Sequence, residues 1–451
     1  MQSAENIRIN FINFLELENW SVQALLESKV DYSNRFQLAR IGQFLIKKRN
    51  TVNIEDEVTY KRVTVKINNN GVILRDTVNG VNIGTKKQFL AKSGQFIISK
   101  IDARNGAFGI IPNELDGAIV TNDFPLFDVD EKKINPHFLL LITTTREFIK
   151  FAHRCSSATT NRQRMDIDLF LNQKIPLPAI EEQNKIVNNY NKKIKEAKEL
   201  EDRVNELKNE VERYLFEVLG IIDNKRTGIT KGLQFIDYIN MDKWSIDDML
   251  KKHTFISQKF KLEKLNDVCT LITDGTHQTP TYHKEGVIFL SAKNVTKEII
   301  NWNEVKYVSK EAYVEYVKGV KPKIDDILLA KNGTTGVAAI VDVDNEFCIY
   351  VSLALLRPIK EKVYPKYLLH LINSGIARAQ FFSRLIGIGV PNLHLGEIKE
   401  VVIPIPPIEI QKKISIILDS IKKEIDVLRN IIIANINEAQ IEFENAIFKR
   451  H

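Results

Sequence analysis

The sequence predicts a mixed α/β chain built twice: two globular modules, each closed by a long helix, with the helices paired antiparallel as a coiled coil and the halves related by a pseudo-two-fold internal duplication. Three observations predict it. The junction Ile175-Pro176-Leu177-Pro178-Ala179-Ile180-Glu181-Glu182-Gln183-Asn184-Lys185-Ile186 returns as Ile403-Pro404-Ile405-Pro406-Pro407-Ile408-Glu409-Ile410-Gln411-Lys412-Lys413-Ile414, with eight of twelve positions identical at an offset of 228. Trp20-Ser21, Leu26, Phe36 and Leu38 recur as Trp244-Ser245, Leu250, Phe260 and Leu262 at an offset of 224. A heptad series follows each junction. Two copies of so long a period exclude a solenoid.

Composition sets the class. A chain of 451 residues with 44% hydrophobic and 27% charged side chains reads as soluble and globular, with room for more than one core. No apolar run reaches the roughly 18 residues of a membrane span, and Met1-Gln2-Ser3-Ala4-Glu5-Asn6 lacks a basic segment leading into an apolar one. No membrane partner and a cytoplasmic location are therefore expected. Cys155, Cys269 and Cys348 are scattered without a CxxC, so buried reduced thiols are expected and no zinc site is indicated. The net charge is +7, yet residues 180–219 hold ten acids and eight bases and residues 408–450 seven of each. The positive surplus thus sits on the globular modules, where it suits a polyanion; a lysine-rich composition alone gives the same small excess.

Residues 1–18 form a leader with no copy in the second half, and residues 19–178 the first module. In it Phe96 to Ile101 runs to Asp102-Ala103-Arg104-Asn105-Gly106, and Phe108 to Ile111 returns. Asn-Gly between apolar runs is a strong hairpin signal, and the base Arg104 and amide Asn105 at its tip can reach phosphates or base edges. An ordinary exposed turn has the same sequence. Before the first junction, Arg146, Lys150, His153, Arg154, Arg162 and Arg164 alternate with Ser156, Ser157, Thr159, Thr160 and Asn161, the composition of a phosphate-gripping loop or of a solvated one.

Residues 179–222 are the first helical region. Tyr190, Ala197, Val204, Val211 and Val218 repeat every seven residues, with Leu200, Leu207 and Tyr214 three positions behind. Acids Glu181 and Glu182 sit in the first turn, and Gly220 is placed to end the helix. A linker and the second module occupy 223–406. There Ile327-Leu328-Leu329 runs to Ala330-Lys331-Asn332-Gly333 and Val337 to Val341 returns, so Lys331 and Asn332 match Arg104 and Asn105, and Gly336 matches Gly109. Thr273 to Tyr282 is a polar, turn-rich loop in which Asp274, Thr276, His277 and Thr279 supply donors and acceptors. Residues 407–451 close the chain with Leu418, Ile425, Ile432, Ala439 and Ala446, and Ile414, Ile421 and Leu428 beside them. Two equal seams in matching register make each helix the other's partner, with Asn435 on the seam to penalise slippage. Helices of another chain could fill the seams instead.

No catalytic or metal centre is legible. Gly80-Val81-Asn82-Ile83-Gly84-Thr85-Lys86 lacks the spacing of a phosphate loop. Asn135-Pro136-His137-Phe138 has no cofactor loop before it and repeats as Pro365-Lys366-Tyr367-Leu368, which marks a helix start. Glu304-Val305-Lys306 has no upstream acidic partner, and His277 and His283 have no third ligand.

These junctions and modules resemble the specificity subunits of type I restriction-modification systems. The Ile-Pro-x-Pro-x-x-Glu-x-Gln junctions look like the family's conserved regions, and the Trp-started modules, with Gly94 to Gly106 and Asp274-Gly275-Thr276-His277, look like its target recognition domains. The resemblance runs from Trp20 to Arg450, departing at Ile410, where the first junction has Glu182. It implies a non-catalytic chain that binds double-stranded DNA, each module reading half of a split, asymmetric site and the helices setting the spacer. It also implies two methyltransferase subunits using S-adenosylmethionine, and two motor-nuclease subunits using ATP and Mg2+, with no cofactor on this chain. A related system with a fused methylase-nuclease partner, or a scaffold that binds no DNA, remains open.

Overall fold

The structure, a computed structural model, describes residues 32–157, 164–224, 254–385 and 392–448. The expected leader, the Trp20 and Trp244 starts, the segment 225–253 and Arg162 lie outside the described residues. The chain divides into two compact units, residues 1–199 with 431–451, and residues 200–430. Each long helix therefore gives one part of its length to each unit. The apolar faces of the helices complete the cores of the modules.

In the first unit, β1 (Leu38–Arg40) pairs antiparallel with β13 (Lys174–Pro176). A four-stranded sheet runs in the order β2 (Leu45–Lys48), β10 (Leu126–Val129), β7 (Phe96–Ile98), β8 (Phe108–Ile110). A five-stranded sheet runs β3 (Thr51–Asn53), β6 (Lys87–Leu90), β9 (Ile119–Val120), β4 (Thr59–Val65), β5 (Val72–Asn79). Two short strands, β11 (Ser156–Ser157) and β12 (Arg164–Met165), pair with each other. The helices are α1 (Pro136–Thr144), α2 (Arg146–Arg154), α3 (Ile167–Asn172) and α4 (Ile180–Leu219). Asn135 caps α1, accepting from His137 and Phe138 N–H, with Pro136 pre-set in the first turn. Fully buried Phe96, Phe108, Phe127, Phe148 and Phe170 fill the core with tilted and edge-on ring pairs.

The second unit repeats this framework. After β14 (Ile221–Asn224) and its partner β15 (Thr254–Ser257), β16 (Leu262–Lys264) pairs with β26 (Val402–Pro404), as β1 pairs with β13. The four-stranded sheet is β17 (Cys269–Asp274), β25 (Leu353–Pro358), β22 (Ile327–Ala330), β23 (Ala338–Ile340). The second sheet is smaller, β21 (Lys306–Val308), β18 (Val287–Leu290), β24 (Phe347–Ile349), beside the hairpin β19 (Val295–Thr296) and β20 (Ile299–Ile300). Helices α5 (Leu265–Val268), α6 (Lys310–Tyr316), α7 (Pro365–Asn373), α8 (Gly375–Ser383), α9 (Leu395–Lys399) and α10 (Ile408–Ile447) complete it, with α7 and α8 standing where α1 and α2 stand.

The long helices are 40 residues each, about 60 Å at 1.5 Å per residue. They run antiparallel within each unit. In the first, Lys193 meets Glu438 at 2.8 Å and Glu442 at 2.9 Å, and Tyr190 meets Phe443 edge-on. In the second, Arg203 lies 3.8 Å from Glu424, and Leu215 and Leu219 share a core with Ile414 and Leu418. Rising numbers in α4 face falling numbers in α10. Of the expected seam, Ala197, Val204, Leu418, Ile425 and Ala439 are buried, and Tyr190, Val211, Val218, Ile432 and Ala446 half-buried. Toward the end of α4 the buried positions move to Leu215 and Leu219, because a 3.6-residue turn drifts off a seven-residue series. Gly220 ends the helix at φ +62°, as a C′ glycine does.

The junction glutamines explain why the repeat is so strict. Gln183, fully buried, donates from Nε2 to the carbonyls of Lys133 (3.0 Å) and Pro178 (2.8 Å), and its Oε1 accepts from Asn135 N–H (2.8 Å). Gln411 repeats all three bonds with the carbonyls of Lys362 (3.0 Å) and Pro406 (2.7 Å) and the N–H of Tyr364 (2.7 Å). One amide thus ties the turn after the sheet, the start of the next helix and the junction into a single joint.

In the second unit the helices are also fastened by charge. The Glu212 carboxylate accepts the Gly375 N–H at 3.0 Å, at the positive end of α8, and His370 Nε2 lies 2.8 Å from Asp419. Burial pushes the imidazole below its usual value near 6.5, while the hydrogen bond from His370 brings the Asp419 carboxyl down to about 2. Both folded-state values are depressed, so each group's contribution is complete above its unfolded value and is lost as pH falls. For His370 that loss sets in below about pH 6.5. Urea unfolding at pH 7.5 and 5.5 should therefore show a smaller acid-induced fall in His370→Gln than in the parent; an equal fall would refute this linkage.

Candidate nucleic-acid interface

In the second unit the loop residues predicted from sequence converge on the end of β17. Asp274 closes that strand, and Gly275 follows where a Cβ would lie 1.9 Å from the Ile349 carbonyl oxygen, so only glycine passes there. Thr276 is then stitched beside β24, donating its N–H to Ile349 and accepting from Val351 N–H, each at 3.0 Å. From just past the end of β22, which β25 separates from β17, Lys331 enters, its N–H on the Ser352 carbonyl (2.9 Å) and its ammonium on the Asp274 carboxylate. His277 Nε2 approaches the same carboxylate at 3.3 Å with its ring 75% exposed. Thr279 is exposed and Asn332 half-buried.

Lys331 departs from the sequence reading. It is only 5% exposed and held by Asp274, so the pair is a strut that positions the loop and not a hand held out to phosphate. Two side chains outside the expected set lie near. The Lys306 ammonium sits 3.8 Å over the ring of exposed Tyr282, whose inner edge packs on Phe289. Lys306 therefore belongs to a stacked cation–aromatic pair, and the Glu304 carbonyl serves to fix buried Asn294 at 3.0 Å.

In the first unit the connection from β7 to β8 is no two-residue hairpin. It holds a short 3-10 turn, Ala103–Asn105, with Gly106 at φ +75°. The turn is pinned from outside, because Asn68 and Asn69 donate to the carbonyls of Asn105 (2.8 Å) and Gly106 (3.0 Å). Asn105 is exposed; Arg104 and Arg154 are half-buried and engaged with other residues. Arg164 is gripped by both oxygens of Asp123, at 2.8 and 3.1 Å. Of the basic stretch before the junction, Lys150 and Arg164 are thus paired with acids of their own unit, Glu147 and Asp123.

Strand registers correct the pairing of the two loops. Phe96 faces Phe127 and Ile110, as Ile327 faces Leu356 and Ile340. Ser99 N–H then bonds the Ala107 carbonyl as Ala330 N–H bonds Val337, and Lys100 N–H bonds Asp123 as Lys331 N–H bonds Ser352. The counterpart of Lys331 is Lys100, not Arg104. The counterpart of Gly336 (φ +85°) is Gly106, not Gly109. Matching the two Asn-Gly pairs sets the loops four residues out of register at Lys331 and three at Gly336. Likewise Lys47 faces Phe127 as Ile272 faces Leu356, which puts Arg49 where Asp274 stands. The first unit therefore has two bases where the second has an ion pair.

Beside Arg49 is a cleft that sequence reasoning missed, lined by Lys47, Lys48, Arg49, Thr121, Asn122, Phe89 and Phe124. Its signal was present as three consecutive bases ending an apolar strand. Among the described residues no His, Cys, Asp and Glu group could hold a metal, and no helix is long and apolar enough to cross a membrane. Cys155, Cys269 and Cys348 are buried, and burial pushes the thiols of Cys269 and Cys348 up to about 12.

The fold and loops define a duplicated protein, in which one α/β framework is used twice with different polar surfaces. The chain belongs to the type I restriction modification DNA specificity domain family, whose profile matches residues 34–213 and 257–438. Among curated proteins it is similar to the type I restriction enzyme MjaVIII specificity subunit of Methanocaldococcus jannaschii, 24% identical over 278 residues, which is 60% of each chain. It is also similar to the putative MjaX specificity subunit of the same organism, 26% identical over 44% of this chain and 47% of that one. The matched segments thus span about half to three fifths of these relatives. A solved chain from a type I R-M system superposes with a TM-score of 0.54 at 17% identity, over 93% of this chain and 97% of that one, and shares the fold.

Proposed function

We propose that this chain is the DNA-reading subunit of a type I restriction-modification complex, without catalytic activity of its own. Each module reads one half of a bipartite, asymmetric site in double-stranded DNA. The α4 and α10 pair sets the spacer and, with the junctions, docks two methyltransferase subunits that use S-adenosylmethionine; two motor-nuclease subunits using ATP and Mg2+ join them. The observation that carries the reading is the contrast between a shared framework and unlike loops. The junction joint is kept bond for bond, whereas Arg49 and Lys100 in one module stand where Asp274 and Lys331 stand in the other. Equal scaffolds with unequal surfaces suit two different half-sites. Of the residues expected at the interface, Asn105, His277, Thr276, Thr279 and Asn332 remain candidates for base edges, and Arg104 and Arg154 for phosphates.

Exchanging residues 240–400 for the matching module of another such chain, in cells that hold the methyltransferase, should change one half of the methylated sequence and leave the other half intact. Methylation that moved in both halves, or in neither, would overturn the division of labour.

A further inference from the structure

We infer that the cleft at the end of β2 in the first unit is a seat for a phosphate of the DNA backbone, held by Lys47 and Arg49, a site the second unit does not have. The inference rests on the DNA-reading function proposed above and deepens it. Lys47 and Arg49 are two apart in an extended segment and so project to the same face, and both line the cleft. The strand β2 is the edge of its sheet, which leaves that face open to a ligand.

The nearby carboxylates are already committed. Asp123 is gripped by Arg164, and Asp128 accepts from Gln95 Nε2 at 2.7 Å and lies 3.5 Å from the Lys48 ammonium. Among the described residues, Lys47 and Arg49 have no ion-pair partner. They are thus two charges able to replace the counterions condensed on a DNA phosphate. Phe89 and Phe124 give the cleft an apolar wall, and the exposed Thr121 and Asn122 supply a hydroxyl and an amide at its rim.

The second unit closes the equivalent position from within. Asp274 replaces Arg49 and neutralises Lys331, with His277 beside it, so the loop presents hydroxyl, amide and imidazole groups around an internally satisfied pair. The modules consequently divide the work: the first contributes more of the salt-dependent grip, and the second relies on neutral contacts.

The test is the salt dependence of DNA binding by the full chain assembled with its methyltransferase partner. A protein that neutralises phosphates loses affinity with a slope of about −0.9 per phosphate in log K against log salt. In Lys47→Ala/Arg49→Ala the slope should become shallower by about 1, the share of one phosphate, with affinity lost about equally on all sequences and the methylated sequence unchanged. The conservative exchange Lys47→Arg/Arg49→Lys should restore the slope, whereas His277→Ala should leave it as it was. A parent that binds with a steep slope and a double alanine variant with the same slope would overturn the phosphate seat while leaving the DNA-reading function standing. A parent without salt-dependent binding would overturn both.

Discussion

Gln411→Ala is expected to lower the stability of the second unit by about 3–4 kcal/mol, and Gln183→Ala to do the same to the first. Each glutamine is fully buried and satisfies two carbonyls and one N–H, the bonds to the Pro178 and Pro406 carbonyls being buried themselves. A polar group left unpaired in the interior costs about 1–3 kcal/mol, and alanine leaves several at once. The damage falls where strand, junction and helix meet, so it loosens the attachment of the long helix to its module. Denaturant unfolding should show one transition moved in each variant and both moved in the double variant. A shift of less than about 1 kcal/mol would mean that water replaces the amide and that the joint is not what the repeat preserves.

Lys331→Ala should cost a similar amount, about 3–5 kcal/mol, because it strands the Asp274 carboxylate where the side chain is only 12% exposed. Neutralising both partners in Asp274→Asn/Lys331→Met should recover most of that loss, since the destabilisation comes from an uncompensated charge and not from a strong attraction. The double variant still alters the loop carrying Thr276 and His277, so recovered stability with disturbed sequence preference is the expected combination. Thermal melting with a methylation readout separates the two. A single variant as stable as its parent would show that Asp274 finds another partner, and the strut reading of Lys331 would fall.

The architecture was legible because repeats and periods are local facts of the chain. The Pro-rich junctions announced their glutamines at a fixed spacing, and the seam residues Ala197, Val204, Leu418, Ile425 and Ala439 were readable from the heptad. The helix starts at Pro136 and Pro365 and the stop at Gly220 follow from backbone constraints on single residues. The loops were not legible in the same way. Arg104 and Lys331 look alike beside their Asn-Gly and Asn332-Gly333 neighbours, yet only the strand registers show that Lys100 is the true counterpart.

By itself, then, the sequence determined that one module occurs twice and that two long helices share a seam, because those properties depend on periodicity and on residues near one another in the chain. Tertiary structure alone decided which charges are spent and which are free. Lys331 and Asp274 are 57 residues apart, and Arg164 and Asp123 are 41 apart. Whether a cation faces solvent or a buried carboxylate is settled by sheet register, and that brings together side chains no local pattern connects. Lys47 and Arg49 stay open for the same reason: the acids that fold beside them already have partners.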